Sequence, residues 1–262
     1  MYDLLLVGGG AMGGALAVGM GSAEGGPRSV AILDHTPAKA QAIASRVPAA
    51  TVVSTLEPAE VFLLAVKPHH MRGVLSSLPV GAKAISVAAG VRLEQLKSWA
   101  PSGCEVVRAM PNTACEIAAG VTAICGDEND GALMARAEEL FRLVGEVFVV
   151  AESQFDVVSA LSGSGPAYVF LLIEAMQEAG ITLGIPASVS LDLARATVLG
   201  AGMLADSKRV DPRSLRLAVT SPGGMTAAAI AVFEELGLRH QTLAAVEAAA
   251  QRAQVLSARA DE

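Results

Sequence analysis

The sequence predicts an α/β protein in which a doubly wound parallel sheet is followed by an all-helical half. Three observations carry this. Short apolar runs alternate with amphipathic stretches through the first half of the chain. Several of the runs are apolar throughout, as strands covered on both faces should be. After about Ala151 the strand signal stops and only helical stretches remain. The expected domains are therefore 1–151 and 152–262.

In the first domain the expected strands are 3–7, 29–33, 61–66, 84–87, 105–110, 121–125 and 146–150. Helices at 11–20, 37–46, 93–99 and 130–144 fill the gaps. In the last of these, Leu133, Ala137, Leu140 and Val144 recur near the helical period. The second domain reads as helices at 165–179, 187–207, 211–219, 226–235 and 241–259. It is rich in alanine, which permits close helix approach. A small apolar bundle with few aromatic residues covers itself poorly, so it is expected to associate with a second copy through these helices.

Composition excludes several classes. With 52% hydrophobic residues in 262 the chain is folded rather than disordered. The balance of 19 basic against 26 acidic residues gives a net charge of −7, which argues against a nucleic-acid partner. The uncharged run 4–23 is long enough to span a bilayer, but its clustered glycines disfavour a helix, so no membrane partner is expected. No secretory leader is evident, and the expected location is the cytoplasm. Cys104, Cys115 and Cys125 form no Cys-x-x-Cys pattern and read as packing residues. No metal site is expected either. His69 and His70 lack further ligands at a recognisable spacing and suit a surface or a helix start.

The chemistry begins at Gly8-Gly9-Gly10-Ala11-Met12-Gly13, a G-x-G-x-x-G between an expected strand and an expected helix. This is the Rossmann-type dinucleotide fingerprint. Gly8 suits the tight turn, Gly10 the approach of a pyrophosphate and Gly13 close helix packing. Ala11 and Met12 open the helix whose N–H groups face the anion. Asp34 follows about 20 residues beyond the last glycine, where a carboxylate accepts from the adenosine ribose and favours NAD. It can equally cap the helix beginning at Pro37. His35 beside it, with Thr36, Lys39 and Arg46 nearby, suits a 2′-phosphate instead, so the coenzyme is NADPH or NADH. Ala65-Val66-Lys67-Pro68 closes another strand, at the end where open sheets collect ligands.

Further segments follow in order: Ala88-Ala89-Gly90, Arg108-Ala109-Met110-Pro111-Asn112-Thr113, Ser162-Gly163-Ser164-Gly165-Pro166-Ala167-Tyr168 and Thr220-Ser221-Pro222-Gly223-Gly224-Met225-Thr226. Together with the glycine and lysine motifs they resemble the pyrroline-5-carboxylate reductase family over nearly the whole chain. The resemblance implies reduction of 1-pyrroline-5-carboxylate to proline with NADPH or NADH, the last step of proline biosynthesis. It also implies a Rossmann domain and a helical dimerisation domain, with dimers often assembling further. It places the substrate carboxylate on Gly223, Gly224, Met225 and Thr226, and adds Ser164 as a substrate contact. Ala88, Ala89 and Glu152 fall to the coenzyme side, with Glu152 equally readable as a solvated hinge residue.

Independently of the family, the Gly223-Gly224 loop offers backbone N–H groups at a helix start, and the Thr226 hydroxyl can hydrogen-bond a ring nitrogen. Thr226 is the expected catalytic residue, although threonine is also a favoured N-cap. The sequence departs from the family pattern at Ala114, Met225 and Leu217-Ala218. Met225 raises the alternative of another cyclic imine as substrate. The missing polar groups at Leu217 and Ala218 raise that of a non-catalytic nucleotide-binding regulator. A helical interaction module tethered to a dinucleotide-binding domain is the third reading.

Overall fold

A computed structural model describes residues 1–48, 50–127 and 130–259. The end of the expected second domain, 260–262, lies outside them. One eight-stranded sheet has the order β3-β2-β1-β4-β5-β6-β7-β8. Its strands are β1 Tyr2–Val7, β2 Val30–Leu33, β3 Ala50–Val52, β4 Ala59–Leu64, β5 Lys83–Ser86, β6 Glu105–Met110, β7 Gly120–Cys125 and β8 Gly145–Val149. The connecting helices are α1 Ala11–Ser22, α2 Pro37–Ala44, α3 Pro68–Ser76, α4 Leu93–Trp99 and α5 Gly131–Arg142.

The apolar runs are covered on both faces. Leu4 and Leu6 of β1 join a core with Ile32, Leu63 and α1, while Leu5 and Val7 face the opposite way into one with Phe62, Leu64 and α3. That split is the period-2 alternation of a central strand.

Two features differ from expectation. The sheet is not wholly parallel, because β6 and β7 run antiparallel, with Arg108 opposite Cys125. The intervening segment holds only the short 3₁₀ turn Thr113–Ile117, too little chain for a parallel crossover. Strand β3 and helix α3 are additional elements. β3 has only three residues, none fully buried, and α3 shows just Met71 and Leu75 as buried positions. Ala114, one of the departures from the family pattern, donates its N–H to Asn112 Oδ1 at 3.2 Å, a bond that proline cannot make.

After β8 come the short helix α6 Phe155–Val158 and a wide π-type turn, Ser159–Gly163. Then follow α7 Gly165–Thr182, α8 Ala187–Lys208, α9 Pro212–Ala218, α10 Met225–Glu235 and α11 Leu238–Arg259. The chain forms two compact units. One holds 1–164 together with the chain from 247, and the other holds 165–246. The end of α11 belongs with the sheet because Gly90, at φ +74°, abuts the backbone of Leu256 and Ser257.

Within the second unit α7 and α8 form a close hairpin. Ser190 Oγ donates to the Gln177 carbonyl at 2.8 Å and fills the space where a Cβ on Gly180 would sit. Among that unit's described residues only Ser190 and Ala194 are buried. Phe170, Leu171, Leu199, Met203 and Phe233 lie exposed. Two helical stretches, Glu152–Thr182 and Ala187–Lys208, are long and apolar enough to cross a membrane. The run 4–23 is not one of them, since it turns from β1 into α1.

Candidate active site

One candidate site is a cleft of about 1000 Å³ at the carboxyl ends of β1, β2 and β4. Strand order reverses between β1 and β4, and such switch points gather ligands in open α/β sheets. Gly8, Gly10, Asp34, His35, Ala65, Val66 and Lys67 all line the cleft. Ala11, Met12 and Gly13 form the adjoining first turn of α1, and Pro68 begins α3. Ala88 and Ala89 follow β5 and do not line this cleft.

The glycine turn fits a dinucleotide by its shape. Gly8 has φ +106°, and a Cβ there would lie 2.7 Å from the Ala65 carbonyl oxygen. A Cβ on Gly13 would lie 2.0 Å from the Gly8 carbonyl oxygen. Gly10 has open space in front of it. The turn is packed tightly on the protein side and is open on the cleft side. Gly10 begins α1 with no side-chain cap, and the helix has no acidic residue in its first turn, so free N–H groups remain for an anion.

Asp34 is more constrained than either expectation. Its Oδ2 accepts from Gly9 N–H at 2.6 Å and its Oδ1 from Thr36 N–H at 2.7 Å. The side chain is 5% exposed, with His35 Nδ1 at 3.3 Å from Oδ1. The carboxylate therefore ties β2 to the glycine turn, and it does not cap α2. The N-cap of α2 is Thr36, whose side chain makes no cap bond. His35 and Lys39 are exposed on the rim.

His70, Gly73, Val74, Val52, Val53 and Ser54 also line the cleft and were missed by sequence reasoning. They belong to α3 and β3 or to the residues just beyond. Pro68 after a strand, with apolar residues at 71 and 75, was the available signal for α3. His69 and His70 meet in its first turn, their ring centroids 4.1 Å apart and their planes tilted by 60°. Among the described residues no group of three His, Cys, Asp or Glu side chains is placed to hold a metal ion.

Glu152 takes a structural post. Its Oε1 accepts from the Leu93 N–H that opens α4 and from Arg108 Nη1 at 3.0 Å. Arg108 is 3% exposed, and its guanidinium sits 4.4 Å from the Phe155 ring centroid. Burial, with the Glu152 charge adding to it, pushes the nearby Cys125 thiol up to about 12, so it stays protonated and inert. Ser164 follows the π-type turn, its N–H donating to the Ser159 carbonyl at 2.9 Å and its side chain exposed.

A second candidate site, within the helical unit, is the loop before α10. Ser221-Pro222-Gly223-Gly224 is a β-turn closed by Gly224 N–H donating to the Ser221 carbonyl at 3.1 Å. Proline second and glycine third at φ +69° give it type II character. A Cβ on residue 224 would collide with Ser221 Oγ. Gly224 is the N-cap of α10, Met225 the first helical residue and Thr226 the second. The expected N-cap duty of Thr226 is thus overturned, because the extended Gly224 occupies that position. Met225 is 93% exposed. Thr226 is also exposed, and its hydroxyl has no hydrogen-bond partner among the described residues.

A dinucleotide cleft on a Rossmann sheet, followed by a separate helical unit, defines an oxidoreductase of the dinucleotide-dependent class. Residues 4–90 match the family model described as NADP oxidoreductase, coenzyme F420-dependent, and residues 152–256 match that of pyrroline-5-carboxylate reductase dimerisation. The pyrroline-5-carboxylate reductase of Mycobacterium leprae is 36% identical over 285 residues, covering 98% of this chain and 97% of that one. The Synechocystis enzyme of the same name is 42% identical over 201 residues, 75% of each chain. Among solved structures, the Coxiella burnetii reductase superposes with a TM-score of 0.89 at 34% identity, covering 98% of both chains. The Plasmodium falciparum enzyme with NADP bound gives 0.84 at 25%, again over 98% of both. The chain belongs to the pyrroline-5-carboxylate reductase family.

Proposed function

We propose that this chain is an NAD(P)H-dependent reductase that converts 1-pyrroline-5-carboxylate to proline, the last step of proline biosynthesis. The observation that carries the reading is the start of α10. The N–H groups of its first turn have no helical acceptors, and beside them stands the unpartnered Thr226 hydroxyl. The N–H groups of Met225 and Thr226 hold the substrate carboxylate, aided by the positive end of the helix. Thr226 Oγ1 hydrogen-bonds the ring nitrogen and keeps its proton in place, so that the C=N bond is an electrophilic iminium. Bound NAD(P)H supplies the hydride. Addition at the imine carbon leaves a CH–NH bond, and a cation next to an anion becomes a neutral amine. The Ser164 hydroxyl is a further substrate contact.

On the coenzyme side Gly8, Gly10 and the first turn of α1 receive the pyrophosphate, with Ala65, Val66 and Lys67 along the opposite wall. Ala88 and Ala89 complete this side, and Glu152 supports it through Leu93. The exposed apolar helices of 165–246 supply the contact surface of a homodimer, which fits the matched dimerisation model. The cytoplasm, with its reduced thiols, is the proposed location.

The test is oxidation of NADPH and NADH by purified protein with the five-membered imine carboxylate beside its six-membered homologue. Fastest turnover of the five-membered ring supports the reading, and coenzyme binding without turnover of either ring rejects it. Met225, a departure from the family pattern at the proposed cradle, is the ground for the second reading, another cyclic imine such as the six-membered homologue. In the same assay Asp34→Ser is expected to raise the NADPH-to-NADH ratio of kcat/KM by about tenfold, the scale of one removed charge near a protein surface. An unchanged ratio would show that the backbone-bound carboxylate does not sense the 2′-phosphate.

A further inference from the structure

Arg108 and Met110 stand two residues apart on β6, and Asn112 repeats that interval just past the strand. All three reach one segment, 152–164. Arg108 holds Glu152 and lies over Phe155. The Met110 methyl carbon lies 2.8 Å from where a Cβ on Gly163 would sit. Asn112 Nδ2 donates to the Ser162 carbonyl at 3.1 Å, while its Oδ1 accepts from Ala114 and Val121 N–H. The segment they grip contains the π-type turn Ser159–Gly163, an uncommon conformation that is frequent at functional sites. Ser164 follows it directly.

We propose that Arg108, Met110 and Asn112 are positioning residues, a latch that sets the Ser159–Gly163 turn and through it the Ser164 hydroxyl that meets the imine. The proposal rests on the substrate contact assigned to Ser164 above. Anchoring alone does not require these residue types, because apolar packing holds a segment as well as a buried guanidinium does. What the polar groups add is direction. Asn112 takes the Ser162 carbonyl at a fixed angle, and Gly163 lets Met110 close on the turn. Glu152 extends the latch to the start of α4.

Asn112→Asp tests it. The substitution keeps the acceptor for Ala114 and Val121 but sets a second acceptor against the Ser162 carbonyl. The expected result is a loss of about 10- to 100-fold in kcat/KM for the imine, with the NAD(P)H dissociation constant within about twofold of the parent. Amide hydrogen exchange in 159–168 should accelerate. Parental kcat/KM and exchange would overturn the latch, as would an equal weakening of coenzyme binding. Gly163→Ala removes no hydrogen bond, and it carries the same two outcomes if Asn112→Asp does not fold. Exchange is read without turnover. A parent that reduces no imine, yet whose 159–168 segment loosens in Asn112→Asp, sinks the functional reading and leaves the latch standing.

Discussion

Thr226→Ala is expected to lower kcat for imine reduction by about 10²-fold, the lower end of what a positioned proton-holding group contributes. NAD(P)H affinity and melting temperature should stay at the parental level. The second half of this expectation comes from the structure. As an N-cap, threonine would stabilise α10 by about 1 kcal/mol and its loss would blur folding with chemistry. The N-cap is Gly224 instead, and Thr226 sits two residues further in, exposed and with its hydroxyl unpaired among the described residues. Truncation therefore removes no internal bond. The N–H groups proposed to receive the carboxylate are backbone and survive, so the imine KM should rise only a fewfold. Thr226→Ser keeps the hydroxyl and should keep most of the rate. Steady-state rates for both variants, read beside thermal melts, decide the matter. A parental kcat in Thr226→Ala would mean that the ring nitrogen finds its partner elsewhere.

What the sequence made legible was local. The β1–α1–β2 unit announces itself because its apolar runs, glycine spacing and Asp34 all fall within about 35 residues, the length of one βαβ unit. The direction of β7 depends instead on how the chain returns from β6, and a short 3₁₀ turn with one buried residue carries no periodic signal. The position of Asp34 was readable but the use of its carboxylate was not, because that is set by where the Gly9 and Thr36 N–H groups point. The family resemblance puts Glu152 on the coenzyme side, and its ion pair is not legible in the sequence. Arg108 lies 44 residues away, and nothing along the chain reveals that the two meet. The helical position of Thr226 is not legible in the sequence, since the type II turn shifts the cap to Gly224. In the helical half the Gly223-Gly224 loop reads as a helix start with free N–H groups, whereas Ser164 is singled out by the family resemblance alone, as bundle periodicity has no chemistry in it.

The glycine turn offers the other large effect. Gly13→Ala is expected to weaken NAD(P)H binding by about 10²-fold or more, the scale reached when positioning is lost by an ångström, and to lower stability by about 1–3 kcal/mol as overpacking does. The added methyl carbon would stand 2.0 Å from the Gly8 carbonyl oxygen and 3.1 Å from Ala65 Cβ. Neither obstacle can rotate away. The Gly8 oxygen is backbone, and its residue is held by the Gly8 N–H donating to the Leu33 carbonyl at 2.8 Å. Helix α1 must then lift from β1, carrying with it the N–H groups proposed to meet the pyrophosphate. Gly10→Ala is the matched control, because its Cβ would meet nothing within 4 Å while the residue lines the cleft. That variant should melt like the parent and still lose coenzyme affinity. Calorimetric titration with NADPH and NADH, beside melting curves for both variants, separates the packing role of one glycine from the clearance role of the other. If both retained parental affinity, the turn would not be where the pyrophosphate lies.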